Sequence, residues 1–217
     1  ADLATQASIG QLPSQPYVSF VSKDGLEGAR VGVLREMVRP GTTHAEGSAL
    51  FETALQDFRR AGALVVDPAL TGLNLPESQV LAGAPTFERA VAIDAYLARL
   101  PPSAPIRSVQ EMIAKGGDLV KPAILDAAKI PALDRHAGLV AAMKHQQVLR
   151  DAIVGLMDRF QLDAVVLPYR TAPADTLGQP TSTETRNAIA SYTGLPTIVV
   201  PGGFFGSDGM PFAVQFI

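Results

Sequence analysis

The sequence predicts an α/β fold: a mixed, largely parallel sheet of about five strands flanked by helices. Two observations carry that prediction. Short apolar runs recur at 29–34, 63–66, 163–167, 197–200 and 212–217, each bounded by Gly, Pro or polar residues, as buried strands are. The first two runs bracket a stretch of helical periodicity. Strand, helix and strand in that order predict a parallel pair joined by a right-handed crossover. The size agrees: 217 residues, 47% hydrophobic and 18% charged, is the composition of one globular domain or a large part of one.

The elements follow in chain order. Residues 1–28 read as an irregular lead-in, because Pro13 and Pro16 exclude a regular helix and Gly25 and Gly28 bracket a turn. Residues 29–67 form the βαβ unit. Its helix opens on a capping box, Thr43-x-x-Glu46, continues through Phe51, Leu55 and Phe58 at helical spacing, and ends at Gly62. Residues 76–160 are read as a helical region. A first helix spans 76–100, with Phe87, Val91, Tyr96 and Leu97 on its apolar face, and stops at Pro101-Pro102. A short helix at 109–115 is stopped by Gly116-Gly117. The longest periodic stretch runs from 131 to 160, weakened by Gly138 and Gly155 at about 1 kcal/mol each relative to Ala. Residues 163–217 carry the last three strands and the loops that would line a pocket. The loop 168–182 is long enough to suggest function. A short helix at 183–193 closes on Gly194, Pro201-Gly202-Gly203 is read as a turn, and Ser207-Asp208-Gly209 is read as another.

Composition also excludes chemistry. A net charge of −3 with scattered Lys and Arg argues against nucleic-acid binding. No apolar run approaches the roughly 18 residues that span a bilayer. With no cysteine there is no disulfide, thiolate zinc site or cysteine nucleophile. His44 is far from the other two histidines, and His136 and His145, nine residues apart on one predicted helix, lie close to opposite faces, so no metal site is assigned, and no cofactor fingerprint is present. Ser191, His145 and Asp163 can be assembled into a triad on paper, but no nucleophile elbow supports them. Phe204-Phe205 reads as a core plug.

The last third carries a resemblance. Leu162-Asp-Ala-Val-Val-Leu-Pro168 is followed by Asn187-x-x-x-Ser191-x-Thr193-Gly-Leu-Pro196, then Val200-Pro201-Gly-Gly203, then Gly209-x-Pro211-x-x-x-Gln215. This ordered series resembles the C-terminal half of the amidase-signature family, whose members hydrolyse carboxamides with a Ser-cisSer-Lys triad. Asp24-Gly-Leu-Glu-Gly-Ala-Arg-Val-Gly-Val33 and Ala61-Gly-Ala-Leu-Val-Val66 resemble the family's strands after the catalytic segment. Residues 82–150 match more loosely.

The resemblance implies that the five strands belong to a larger amidase-signature fold, with residues 1–217 as a single incomplete domain clipped at both ends. The family's Gly-Gly-Ser-Ser-Gly-Gly-Ser stretch and its lysine base have no counterpart here, so no catalytic residue is assigned and the chain alone is expected to be inactive. The expected substrate-binding residues are Tyr169, Arg170 and Thr171 after the third strand, with Asn187 and Thr193 near the rim. Arg170 offers a guanidinium fork suited to a carboxylate. The expected partners are a small-molecule amide substrate and the missing N-terminal catalytic segment of the same domain. Direct nucleic-acid and membrane contacts are not expected, and a homo-oligomer is left open. A cytoplasmic location is the default. The alternatives are a non-catalytic binding or scaffold module derived from an amidase, and a portion of one subunit in a tRNA-dependent amidotransferase.

Overall fold

A computed structural model of the 217-residue chain describes residues 6, 9, 10, 12–38, 44–177 and 188–217. Its centre is a five-stranded mixed sheet: β1 (Arg30–Val33), β2 (Leu64–Val66), β3 (Ala164–Pro168), β4 (Ile198–Phe204) and β5 (Pro211–Phe216). Their spatial order is β2-β1-β3-β5-β4. β1 is parallel to both β2 and β3, with Val31 opposite Val65 on one side and Ala164 on the other. β5 is antiparallel to β3 and β4.

Alternation along the strands divides the core in two. Val31, Val33, Val166, Phe212 and Val214 turn to one face and bury Phe51, Ala54 and Leu55 of α1 (Ala45–Arg60). Val165 and Leu167 turn to the other, against Leu149, Ile153 and Leu156 of α6 (Ala132–Phe160). The step from β1 to β2 and the step from β2 to β3 run in opposite directions. Crossovers of one hand must then cover opposite faces, and α1 and α6 do.

The region between β2 and β3 is helical but more divided than its periodicity predicts. The stretch 76–100 is two helices, α2 (Leu75–Leu81) and α3 (Pro85–Leu97), because Gly83 follows α2 and Pro85 can only begin a new helix. Asn74 caps α2 by accepting from the Glu77 amide at 3.3 Å. α4 (Val109–Gly116) is capped by Ser108 on the Glu111 amide at 3.1 Å. Asp94 of α3 accepts from the Val109 amide at 2.6 Å. α5 (Pro122–Lys129) has no counterpart in the predicted elements. α6 ends where Arg30 of β1 donates to the Phe160 and Gln161 carbonyls at 3.0–3.2 Å, satisfying acceptors the helix leaves open.

Two details at the end of the chain differ from expectation. Pro201-Gly202-Gly203 does not turn the chain. β4 runs through it to Phe204, with a register shift between Pro201 and Gly203. The turn expected at Ser207-Asp208-Gly209 is present, at 205–209, where the Gly209 amide donates to the Phe205 carbonyl at 2.8 Å. Phe204 and Phe205 also part company: Phe205 is buried edge-on against Phe212 at 5.9 Å, whereas Phe204 is exposed. The predicted capping residue Thr43 lies outside the described residues.

Candidate functional site

In an open α/β sheet the crevice for a ligand opens beyond the carboxyl ends of parallel strands, where the strand order reverses. Here β1 is followed on one side by β2 and on the other by β3, so the reversal lies between β1 and β3. The chain leaving β3 is Tyr169-Arg170-Thr171, and the helix returning from β1 is α1.

Those two meet closely. Thr171 is buried, and its Oγ1 lies 2.9 Å from Nδ1 of His44, the residue that precedes α1. Gly47, in the first turn of α1, is packed against the Thr171 backbone. A Cβ there would fall 2.1 Å from the Thr171 carbonyl oxygen, so a side chain at 47 is excluded. Glu46 reaches the other way and accepts from the Gly206 amide, tying the β4–β5 turn to the same helix end. Tyr169 extends the sheet by donating its amide to the Ala213 carbonyl at 3.0 Å. The half-buried Arg170 pairs with Asp175 at 3.4 Å, so the guanidinium expected to meet a ligand already has a carboxylate beside it.

Thr193 approaches from the α6 side. It ends α7 (Ile189–Thr193), and its Oγ1 donates to the Ile189 carbonyl at 2.8 Å and accepts from the Leu195 amide at 3.3 Å. Gly194, at φ +66°, reverses the chain there, as the sequence predicts. Asn187 lies outside the described residues. Tyr169, Arg170 and Thr171 are thus adjacent at the crevice, and Thr193 sits at the end of a buried helix.

A second polar group lies at the carboxyl ends of β1 and β2. Arg35 donates to Asp67 at 2.5–2.6 Å and to Glu52 of α1, and Arg59 stands 3.6 Å from Asp67. The hydrogen bonds from Arg35 hold the Asp67 carboxyl below its ordinary range, against the opposing effect of burial. Glu36 accepts from the Thr71 amide and hydroxyl at 2.8 Å and from the Gly72 amide at 3.1 Å, fixing the loop after β2.

Sequence reasoning missed His44 and Gln79. Nothing in the spacing of three scattered histidines marks His44. Gln79 had a signal: it lies four residues after the apolar Leu75 on a short helix, where a core residue is expected. It is buried, its Oε1 accepts from the Ala188 amide at 2.6 Å, and its Nε2 lies 3.6 Å from the Met37 sulfur. Among the described residues no group of three His, Asp or Glu side chains could hold a metal.

Comparisons with known proteins bear on this geometry. The family model described as Amidase matches residues 4–217. An Arabidopsis thaliana protein described as a probable amidase is 25% identical over 231 residues, covering 99% of this chain and 39% of its own length. A glutamyl-tRNA(Gln) amidotransferase subunit from Bordetella pertussis is 30% identical, over 99% of this chain and 43% of its own. Among solved structures, the native peptide amidase from Stenotrophomonas maltophilia superposes with a TM-score of 0.72 at 22% identity, over 100% of this chain and 45% of that one. A bacterial aryl acylamidase of the amidase-signature enzymes gives 0.66 at 20% identity, over 94% and 42%. The chain therefore spans about two fifths of the length of the curated relatives it matches. It belongs to the amidase family.

Proposed function

We propose that the whole protein hydrolyses a carboxamide, with water, to a carboxylate and ammonia or an amine, and that residues 1–217 supply the wall of its substrate pocket. The family match over residues 4–217 carries this reading. The crevice supports it: Tyr169, Arg170 and Thr171 stand at the strand-order reversal, braced by His44 and Gly47 of the α1 end. Amide hydrolysis needs an activated nucleophile and donors for the developing oxyanion. No Ser-Ser pair or Gly-Gly-Ser run is present in this chain to provide them in the family's manner. The catalytic segment is therefore proposed as a partner of the pocket wall, within a cytoplasmic protein that takes a small-molecule amide.

Intact-mass analysis after treatment with a serine-reactive fluorophosphonate tests the division of labour. The chain alone is expected to show no adduct. The whole protein is expected to show one adduct and to lose amide hydrolysis with it. A stoichiometric adduct on residues 1–217 would overturn the assignment.

A second reading is favoured by the Bordetella relative: a role within one subunit of a glutamyl-tRNA amidotransferase. Co-purification with further subunits, and glutamine-dependent amidation of a charged tRNA, would favour it over a stand-alone amidase.

A further inference from the structure

We infer that Gln79 is a positioning residue of the pocket, setting the place of α7 and of Thr193 at its end. Gln79 is only 4% exposed and lies among Met37, Leu75, Ala82 and Ile189 of the core. Burying an amide there is unfavourable unless its polar atoms are engaged. Both are: Oε1 takes the Ala188 amide at 2.6 Å, and Nε2 faces the Met37 sulfur at 3.6 Å. Met37 belongs to the turn that leaves β1, and Ala188 precedes α7. One side chain thus joins the turn that leaves β1 to the residue that precedes α7.

α7 has five residues, too few to hold a helical form or a position by itself. Its place is imposed at both ends. Gln79 accepts from the Ala188 amide just before α7, and Arg150 of α6 donates to the Thr193 carbonyl at 2.6 Å. Gln146, one turn before Arg150, donates to the Ala82 carbonyl just after α2 at 3.0 Å. The circuit α2 to α7 to α6 and back to α2 is closed by three side-chain amide or guanidinium contacts. Removing Gln79 opens it at the start of α7.

The activity test rests on the amidase reading, while the exchange test does not. In the whole protein, Gln79→Met keeps the side-chain volume and removes the acceptor. KM for 4-nitroacetanilide or an amino-acid amide should rise about fivefold or more with kcat within about twofold, because a displaced pocket wall weakens ground-state and transition-state binding alike. Arg150→Met, at the less buried end, should move KM the same way and covers the case in which Gln79→Met folds poorly. In residues 1–217, hydrogen exchange at the Ala188 amide should accelerate about tenfold in Gln79→Met. A merely structural role would lower the melting temperature and the active fraction with KM unchanged, and that result overturns the inference. So does unaltered exchange at Ala188. A whole protein that hydrolyses neither amide overturns the amidase reading, and Ala188 exchange then decides on Gln79 alone.

Discussion

At position 47 the fold leaves room for a hydrogen atom and nothing larger. Gly47→Ala would place a methyl group 2.1 Å from the Thr171 carbonyl oxygen, and backbone on both sides must move to admit it. We expect a loss of about 1–3 kcal/mol in urea unfolding, the range of an overpacked core, although Ala is the better helix former. A change under about 0.5 kcal/mol would mean that α1 and the β3 exit are not fixed together. The Arg35–Asp67 pair sets a different expectation. Its side chains are 28% and 16% exposed, and Arg35 lowers the Asp67 pKa. A carboxyl with a lowered folded pKa binds fewer protons folded than unfolded. Its stabilisation is therefore complete above about pH 5 and is lost as pH falls below about 4 and through the lowered folded value. Arg35→Met should cost about 1–3 kcal/mol at pH 7 and flatten the acid side of the melting-temperature profile. An acid slope equal to that of the unaltered chain would contradict the assignment to Asp67.

The long helix α6 separates what a residue prefers from what its surroundings allow. Gly138 and Gly155 both weaken it by intrinsic propensity. A Cβ at 155 meets nothing within 4 Å, whereas one at 138 would lie 2.1 Å from the Phe87 ring of α3. Gly155→Ala should stabilise by about 0.5–1 kcal/mol. Gly138→Ala should fail to do so and should destabilise, because the ring that closes α3 onto α6 must be displaced. Thermal unfolding of the two variants side by side decides it, and equal gains at both sites would refute the close packing of α3 on α6. The same contrast explains what the sequence disclosed. The strands were legible because Val31, Val33, Val165 and Leu167 form short apolar runs. α1 was legible because Phe51 and Leu55 keep one face to the core. The break at 82–84 was not, since the apolar face read for 76–100 rests on Phe87, Val91, Tyr96 and Leu97, which all lie after the point where Gly83 and Pro85 interrupt the backbone. β4 was misjudged in length, because Pro201 and the glycines that usually turn a chain are accommodated here by a register shift in a strand at the border of the sheet. At the crevice, the position of Thr171 followed from its place after β3. His44 was not legible, because its hydrogen bond to Thr171 spans 127 residues of sequence and leaves no local pattern.

At the scale of the molecule the sheet has two borders among the described residues, β2 and β4, and they are not equally protected. β2 has three residues, too short to recruit a partner strongly. β4 has seven, and Ile198, Val199 and Phe204 are 62%, 45% and 70% exposed. Natural sheets blunt such borders with charge, proline or a bulge. Pro201 and the shift beside it do this for the middle of β4, but residues 198–200 offer apolar side chains beside a strand border with no charged residue among them. The exposed Tyr17 adjoins Pro196, Thr197 and Ile198 and enlarges the same apolar surface. Residues 1–217 in isolation should therefore self-associate through β4 as concentration rises. Val199→Lys places a charge on the border at little cost to the fold, since Val199 is already 45% exposed. The variant should remain at its monomer mass by light scattering at concentrations where the unaltered chain forms larger species, with its melting temperature within a few degrees. Association that persists undiminished in Val199→Lys would rule out β4 as its origin and turn attention to the exposed faces of α3 and α6, where Val91, Val140 and Met143 also meet solvent.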